Sequence, residues 1–343
     1  MIKLIINPGS TSIKYSLFKN NTKLKEFDFN KSEDFLESFR NLIQILIKDN
    51  YINNIIDIKK YGIRIVHGGN YFKEATLINK NNIKILEKTS ELAPLHNPLA
   101  LEIIKEIWKQ NKTAKIYGVF DTSFHQTIPE YASTYAIPRK LSEDYHIQKY
   151  GFHGIACQSI LTKIKKEFKN LPNKIVICHL GGGSSITAIK NGESIDTSMG
   201  FTPLEGLIMT TRSGDLDNGV LMYLSETLKI PNDKLLTILN SDSGVYGVTG
   251  IKDMETITEK AQKGNKLCKL AIEMFVYRII KYIFSYYGVL EGINTLVFSG
   301  GIGEHSSYIR EKICKKLKTI DIKEFLILKA NEDEEILRQI LKT

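Results

Sequence analysis

The residues most able to do chemistry in this chain are histidines and arginines set among glycine, serine, threonine and asparagine. Six of the seven histidines stand in such uncommon settings, namely His67, His96, His125, His153, His179 and His305. No two of them have the spacing of one helical turn together with a nearby third ligand, so the pattern does not indicate a zinc site. It is typical instead of a site that binds an anion.

Two arginines lie in segments of the same kind. Arg64 shortly precedes Val-His-Gly-Gly, and Arg212 stands in Thr-Thr-Arg-Ser-Gly-Asp. Phosphoryl transfer needs fixed positive charge around the oxygens of the transferred group, and arginine supplies it. Acids that could hold Mg²⁺ or orient a nucleophile are Asp121, Asp196, Glu205 and Asp215. Each acid alone could equally be a helix cap or a turn residue.

Three polar loops follow segments that are predicted to be strands. They cover residues 7–12, 179–185 and 299–304, and they are rich in glycine, serine and asparagine. Such loops offer backbone N–H groups and hydroxyls to phosphate oxygens. One loop would be weak support, because ordinary turns use the same residues. Three of them predict a phosphorylated ligand bound between two domains.

Several nucleotide and hydrolase motifs are absent from the sequence. No glycine is followed by lysine, so a P-loop nucleotidase is excluded. The glycine cluster 181–183 does not fit the dinucleotide fingerprint. The zinc-protease motif and the nucleophile elbow of serine hydrolases are absent too.

The elements that must position these residues repeat at half the chain length. Strands are predicted at 3–6 and 13–18, and again at 174–178 and 186–189. A shift of 171 positions overlays the two hairpins without a gap, placing Ile6 on Ile177 and Lys19 on Lys190. Helices are predicted at 34–48, 267–287 and 331–341. The alternation of strands and helices indicates an α/β protein with two related domains.

Composition is that of an ordinary globular protein. The chain has 343 residues, of which 42% are hydrophobic and 25% charged. No apolar run approaches the ~18 residues of a membrane helix, and no signal peptide is indicated. The four cysteines lack C-x-x-C spacing, so free thiols and a cytoplasmic location are expected. The net charge of +9 would suit nucleic acid, but the lysines are scattered, and neither a nucleic acid nor a membrane is expected as a partner.

The motifs together resemble those of the acetate kinases, the acetokinase family. Residues 7–14, Asn-Pro-Gly-Ser-Thr-Ser-Ile-Lys, resemble that family's first phosphate loop. The segment 196–206, Asp-Thr-Ser-Met-Gly-Phe-Thr-Pro-Leu-Glu-Gly, is the most specific match. Further segments are similar in the same order: 64–69, 93–98, 119–125, 150–154, 179–183, 207–215 and 298–304.

The resemblance implies a fold, a reaction and its partners. The family belongs to the superfamily of sugar kinases and actin, so two ribonuclease-H-like domains, mixed sheets flanked by helices, are expected around a nucleotide cleft. The first domain would comprise 1–121 plus 332–343 and hold the first phosphate loop and the acid site. The second, 122–331, would bind the nucleotide. The reaction would be reversible transfer from ATP to acetate, giving acetyl phosphate and ADP, with Mg²⁺ (Mn²⁺ as an alternative). A homodimer is expected.

The resemblance also assigns roles to single residues. The catalytic residues would be Asp121, His153, Arg212 and Arg64. The metal would be held by Asn7 and Glu332. The acetate would meet Arg64, Val66, Leu95, Phe152 and Pro203. The nucleotide would meet Lys14, Ser10, Ser12, His179, Leu180, Gly181, Gly182, Gly183, Asp253, Met254, Glu255, Gly301, Ile302, Gly303, Glu304 and His305.

Physical chemistry agrees with these roles. Acetate is already ionised at neutral pH, so its attack on phosphorus needs no general base, and the difficulty is to bring two anions together. An arginine at such a transition state contributes about 10³–10⁵ in rate. We therefore interpret Asp121 as holding water, metal or arginine and not as a proton shuttle.

Some residues depart from the family pattern and keep alternatives open. Gly182 replaces an asparagine and so removes a phosphate donor, and Glu255 replaces an arginine near the adenine. Glu334 and Glu335 compete with Glu332 for the metal. The alternatives are a propionate or butyrate kinase, since one methylene changes selectivity by only ~10–200-fold, and a non-catalytic nucleotide-binding relative.

Overall fold

A computed structural model of the chain describes residues 1–9, 12–30, 35–94, 96–168 and 171–343. Its contacts divide the chain into two units. The first unit comprises Met1–Gln126, Gly154–Ser159 and Asn331–Thr343, and the second comprises Thr127–His153 and Ile160–Ala330. The domain boundaries given above, 1–121 plus 332–343 and 122–331, stay a prediction about independently folding parts.

The first unit is built on one mixed sheet. Its strands are β1 (Ile2–Pro8), β2 (Ser12–Lys19), β3 (Thr22–Asn30), β4 (Ile58–Ile65), β5 (Thr76–Leu77) and β6 (Lys115–Phe120). They lie in the order β3-β2-β1-β4-β6-β5. Strands β1, β2 and β3 form an antiparallel meander, and β1, β4 and β6 run parallel. The centre of β1 is a continuous buried apolar run, as expected of a strand covered on both faces.

The second unit repeats this plan. Its strands are β7 (Lys174–Leu180), β8 (Ser184–Lys190), β9 (Glu193–Thr197), β10 (Ile293–Ser299) and β11 (Ile322–Ile327). Their order is β11-β10-β7-β8-β9, again an antiparallel meander followed by two parallel strands. The half-chain repeat predicted from the sequence thus corresponds to a shared strand order. The hairpins differ in register by one residue, because Lys19 pairs with Ile2 whereas Lys190 pairs with Lys174.

The helices cover the sheets. In chain order they are α1 (Phe35–Lys48), α2 (Ile83–Thr89), α3 (Asn97–Gln110), α4 (Glu130–Ser133), α5 (Arg139–Tyr145), α6 (Gly154–Phe168), α7 (Asn218–Met222), α8 (Asn232–Ser241), α9 (Gly244–Thr249), α10 (Met254–Gln262), α11 (Lys266–Leu290), α12 (Gly300–His305), α13 (Ser307–Leu317) and α14 (Glu332–Lys342). The three predicted helices are present as α1, α11 and α14, although residue 34 lies outside the described residues. None of the described helices is both long and apolar enough to cross a membrane.

The polar loops are shorter than the sequence suggests. His179 and Leu180 belong to β7, and they pair with Ser185 and Ser184 of β8. Only residues 181–183 connect these two strands, because the backbone hydrogen bonds of the hairpin continue almost to its tip. Residues 300–305, predicted as a glycine break, form helix α12 instead.

Each unit has its own apolar core. In the first, α1 buries Phe39, Leu42 and Leu46 at helical spacing. In the second, α11 buries Phe275 and Ile279 in the core beneath the sheet. These cores fix the strand ends at which the candidate site residues stand.

Candidate active site

Arg64 lies beside Asp121 at the carboxyl end of the first sheet. Strands β4 and β6 are parallel neighbours, so the last residues of β4 meet the residue that follows β6. The guanidinium Nη2 and Nε of Arg64 donate to Asp121 Oδ2 at 2.6 and 3.0 Å. Nη1 donates to Asn7 Oδ1 at 3.1 Å and to Glu332 Oε2 at 3.4 Å. Four predicted site residues of the first unit therefore form one network.

Burial and neighbouring charges together shift the pKa values of Asp121 and Arg64 in this network. Burial raises the pKa of Asp121 above its ordinary value, although the charge of Arg64 acts in the opposite direction. Burial alone would lower the pKa of Arg64, but the carboxylates of Asp121 and Glu332 outweigh it and raise that pKa. Within the described part of the chain, Asp121 Oδ1 is buried and has no hydrogen-bond partner.

The start of helix α14 supplies two carboxylates to Asn7. Asn7 Nδ2 donates to Glu332 Oε2 at 2.8 Å and to Asp333 Oδ1 at 3.1 Å, and Ser16 Oγ donates to Asp333 Oδ2 at 2.5 Å. Glu335, a competing candidate in the sequence, instead accepts hydrogen bonds from Arg338. Sequence reasoning missed Asp333, and its only signal was its position next to Glu332.

In the second unit, Arg212 and His153 meet at the tip of the β7–β8 hairpin. A Cβ atom at Gly183 would lie 3.4 Å from Arg212 Nη1 and 3.5 Å from His153 Nε2. Glycine at this position therefore leaves the space before both side chains open. His153 Nδ1 is 3.0 Å from Ser185 Oγ, and the rings of His153 and His179 are 4.9 Å apart.

The loop itself is held by its own backbone. Gly181 N–H donates to Gly183 O at 3.1 Å and to Ser184 Oγ at 3.2 Å. A Cβ atom at Gly182 would meet nothing within 4 Å, so this position has open space for a side chain.

Arg212 is a partly buried cation, and the described residues offer it no acidic partner. Its Nη1 approaches Met209 Sδ at 3.8 Å, and no described carboxylate lies within ion-pair distance of it. Burial alone lowers the pKa of Arg212. Because a charge that loses part of its hydration is stabilised by an opposite charge, this guanidinium is suited to binding an anion.

A cavity of about 500 Å³ is lined by some of the residues that are predicted to contact the nucleotide. This is an ordinary size for a small-molecule site. Asp253 is the N-cap of α10, and its pKa is lowered by hydrogen bonds from the Thr256 hydroxyl at 2.6 Å and from the Thr256 N–H at 2.7 Å. The predicted residues lining the cavity are Asp253, Met254, Glu255, Gly301, Ile302 and His305.

Other predicted residues do not line this cavity. Glu304 Oε1 accepts from Gly300 N–H at 3.0 Å, and Gly303 O accepts from Arg310. Lys14 is exposed on β2 opposite Asn7. Ser12 O accepts from the N–H of Gly9 at 2.8 Å.

The predicted acyl pocket is not assembled within either unit. Val66 belongs to the first unit, whereas Phe152 and Pro203 belong to the second. Ser10 and Leu95 lie outside the described residues. The acyl pocket stays a prediction.

The other three candidate acids form ion pairs with lysine and arginine side chains of the protein. Lys149 Nζ lies 3.2 Å from Asp196 and 3.7 Å from Glu205, and Arg278 lies 3.0 Å from Asp215. We therefore assign no metal to these three acids.

Comparison with known proteins identifies the family. A sequence model of the acetokinase family matches residues 19–335. The acetate kinase of Brachyspira hyodysenteriae is 41% identical over 349 aligned positions, covering 93% of this chain and 88% of the relative. The crystal structure of a propionate kinase from Francisella tularensis is 33% identical with a TM-score of 0.91 and 98% of each chain covered. That of the acetate kinase of Porphyromonas gingivalis is 30% identical with a TM-score of 0.89 and 99% of each chain covered.

These likenesses confirm the predicted fold class, an α/β protein with two ribonuclease-H-like domains. They also explain why the strand order is repeated. The chain belongs to the acetokinase family.

Proposed function

We propose that the chain is an acetate kinase, which transfers a phosphoryl group reversibly from ATP to acetate and gives acetyl phosphate and ADP. Membership of the family makes it a kinase whose acceptor is a carboxylate. The observation that carries the proposal is Arg212, a partly buried cation without an acidic partner among the described residues, beside His153 and an open glycine loop.

The two charged clusters suit different parts of the reaction. Arg64 is already balanced by Asp121 and Glu332, so its main effect is to order the groups around it. Arg212 contributes positive charge that no described carboxylate balances. In the transition state the transferred group spreads its negative charge over the equatorial oxygens, and Arg212 and His153 would stabilise it there. A proton shuttle is not required, since the acetate attacks as an anion.

We propose Mg²⁺, with Mn²⁺ as an alternative, as the metal of the reaction. Asn7, Glu332 and Asp121 Oδ1 present oxygen atoms, which hard cations prefer. The described side chains contain no group of three metal-binding residues, which suits Mg²⁺ because it is usually held by one or two carboxylates, water and substrate phosphates. When bound, the metal neutralises charge on the phosphates.

We infer that ATP places its base and ribose in the 500 Å³ cavity at α10 and α12 and its phosphates at residues 181–183. Lys14 and Ser12 remain proposed phosphate contacts. Val66, Phe152 and Pro203 remain proposed contacts of the acyl group. The 33% identity to the propionate kinase of Francisella tularensis makes propionate the second candidate substrate.

We also propose a homodimer, and we retain the cytoplasm as its location. The support is a stripe of apolar side chains exposed along α11, on the opposite side from its buried residues. A helix that is apolar on two faces is expected to bury both. The stripe consists of Leu267, Leu270, Met274, Tyr277 and Phe284.

The function is tested by trapping acyl phosphate with hydroxylamine. Purified protein is supplied with ATP, Mg²⁺ and acetate, propionate or butyrate, and the three rates rank the acids. We expect Arg212→Ala to lower turnover by about 10³-fold or more. Arg139→Ala is the matched control, because Arg139 is 86% exposed and pairs only with Glu143 in the described chain.

Each outcome has a clear meaning. Activity that depends on Arg212 but not on Arg139 supports an acyl kinase. No product with any acid, from protein that melts cooperatively, would favour a non-catalytic nucleotide-binding relative, and Gly182 and Glu255 would be its first explanation.

A further inference from the structure

Arg212 stands on a loop that closes on itself. Gly206 N–H donates to Asp215 Oδ1 at 2.7 Å, and Asp215 N–H donates back to Gly206 O at 3.0 Å. Residues 206–215 therefore form a loop whose two ends are joined by a pair of hydrogen bonds. Arg212 lies three residues before the closing aspartate.

Asp215, which closes the loop, is hydrogen-bonded to helix α11. Arg278 Nη1 donates to Asp215 Oδ2 at 3.0 Å, and Tyr282 OH donates to the same oxygen at 2.8 Å. Arg278 and Tyr282 are four residues apart, so they share one face of the helix. Arg278 Nη2 also approaches Asp215 O at 3.4 Å. One carboxylate thus joins the loop to the longest helix of the second unit.

Two glycines allow the ends of the loop 206–215 to pack closely against neighbouring backbone. A Cβ atom at Gly206, where φ is +105°, would lie 2.4 Å from Ser198 O, and one at Gly214, where φ is +68°, would lie 2.4 Å from Leu207 O. Neither position accepts a side chain without a shift of backbone. The backbone at the ends of the loop therefore has little space to move once Arg278 and Tyr282 bind the Asp215 carboxylate.

Arg212 needs such a support because no acid among the described residues orients it. Arg64 is gripped by Asp121 through two nitrogens, whereas Arg212 depends on the backbone that carries it. That backbone is held by Met209 N–H donating to Arg212 O at 3.1 Å and by Ser213 N–H donating to Leu239 O at 3.1 Å. A displacement of about 1 Å at a reacting group can cost about 10²-fold in rate.

We propose that Asp215 is a positioning residue for Arg212, because it fastens the closing point of the loop to α11 through Arg278 and Tyr282. The proposal rests on the function proposed above. It gives Asp215, which the sequence suggested as a metal or nucleophile acid, a role in the geometry of the transferred phosphoryl group.

The test is a double-mutant cycle on turnover. Asp215→Asn and Arg278→Gln should each lower kcat about 10–100-fold, while the KM for ATP stays within about twofold. In an Arg212→Ala background the same changes should have almost no further effect on kcat, because they act through the missing guanidinium.

Asp217→Asn is the matched control. Asp217 lies two residues away and caps α7 by accepting from Gly219 N–H at 2.7 Å. Asparagine caps a helix about as well as aspartate, so this variant should retain wild-type kcat. Arg278→Gln leaves the loop sequence intact, and it supplies the same test if Asp215→Asn fails to fold.

The outcomes separate the positioning role from the function itself. If Arg212→Ala retains full turnover, the function proposed for Arg212 fails. If Arg212→Ala loses turnover but Asp215→Asn and Arg278→Gln match Asp217→Asn, the positioning role is overturned. It is overturned equally if the losses multiply in the Arg212→Ala background, since general destabilisation would act in both backgrounds.

Discussion

At the scale of single residues, the two candidate arginines, one in each unit, are held in opposite ways. Arg64 donates twice to Asp121 and lies near Glu332, and these carboxylates raise its pKa. Arg212 is partly buried and has no carboxylate partner in the described chain, so desolvation lowers its pKa. One arginine is therefore paired with carboxylates, and the other has its positive charge unpaired among the described residues. The sequence could not separate them, since both lie in segments rich in glycine.

Asp121 should leave a signature in the pH dependence of stability. Its pKa is raised by burial, so the native state holds this proton at a pH where the unfolded chain has already lost it. The stability that this group contributes is therefore complete at low pH and is lost as pH rises through the raised pKa. We expect the free energy of unfolding of Asp121→Asn, relative to wild type, to increase as pH rises above about 4, the pKa of an aspartate in an unfolded chain.

Urea unfolding at several pH values measures this difference. Leu236→Ala, a change at an exposed residue of α8, serves as control and should give a flat difference, because it neither adds nor removes a titrating group. A difference for Asp121→Asn that is flat or falls with pH would show that the carboxylate is ionised in the native state throughout, held so by Arg64.

At the scale of elements, helix α14 brings the acids of the C-terminal segment to Asn7. It packs on β1 and β4, where a Cβ atom at Gly62 would lie 2.8 Å from both Ile336 Cγ2 and Ile5 Cδ1. The glycine thus lets the helix lie close to the sheet. This close approach sets the position of Glu332 and Asp333, which stand in the first turn of the helix.

Gly62→Ala should therefore weaken both folding and the site. We expect a loss of about 1–3 kcal/mol in the free energy of unfolding, because the added methyl group overpacks the helix–sheet contact. Denaturant unfolding measures this loss. Ile336→Ala should lower the free energy of unfolding less in the Gly62→Ala variant than in wild type. The reason is that it removes Ile336 Cγ2, the atom that the new methyl group would contact. Strict additivity of the two changes would show that the helix does not depend on this contact.

Local patterns predicted the elements better than they predicted the site. Helices α1, α11 and α14 follow from apolar residues at helical spacing, and the hairpins follow from short apolar runs joined by turn residues. The contact between Asn7 and Glu332 joins residues 325 positions apart, and no local period contains it. Asp333 and the link from Asp215 to Arg278 were missed for the same reason.

At the scale of the whole molecule, the repeated fold begins each unit with an antiparallel pair of strands, β1 with β2 and β7 with β8. Lys14 lies near the start of β2, and the glycine loop 181–183 precedes β8. The parallel strand beside the first strand then leads to a second group of predicted site residues in each unit, at Arg64 in β4 and at Gly301–His305 after β10. The repeated strand order thus places predicted site residues at equivalent strand ends of the two units.

The exposed stripe of α11 should hold two copies of the chain together. Leu270 is 47% exposed in the single chain, so Leu270→Glu should leave the fold intact while placing a charge in an apolar contact. We expect at least about 100-fold weaker association, equal to about 2.8 kcal/mol. Light scattering should then show a mass falling from twice the chain mass toward 39.0 kDa. Leu24→Glu, at a leucine 41% exposed on β3, should remain dimeric. A wild-type monomer at micromolar concentration, or a Leu270→Glu dimer of unchanged affinity, would contradict the prediction.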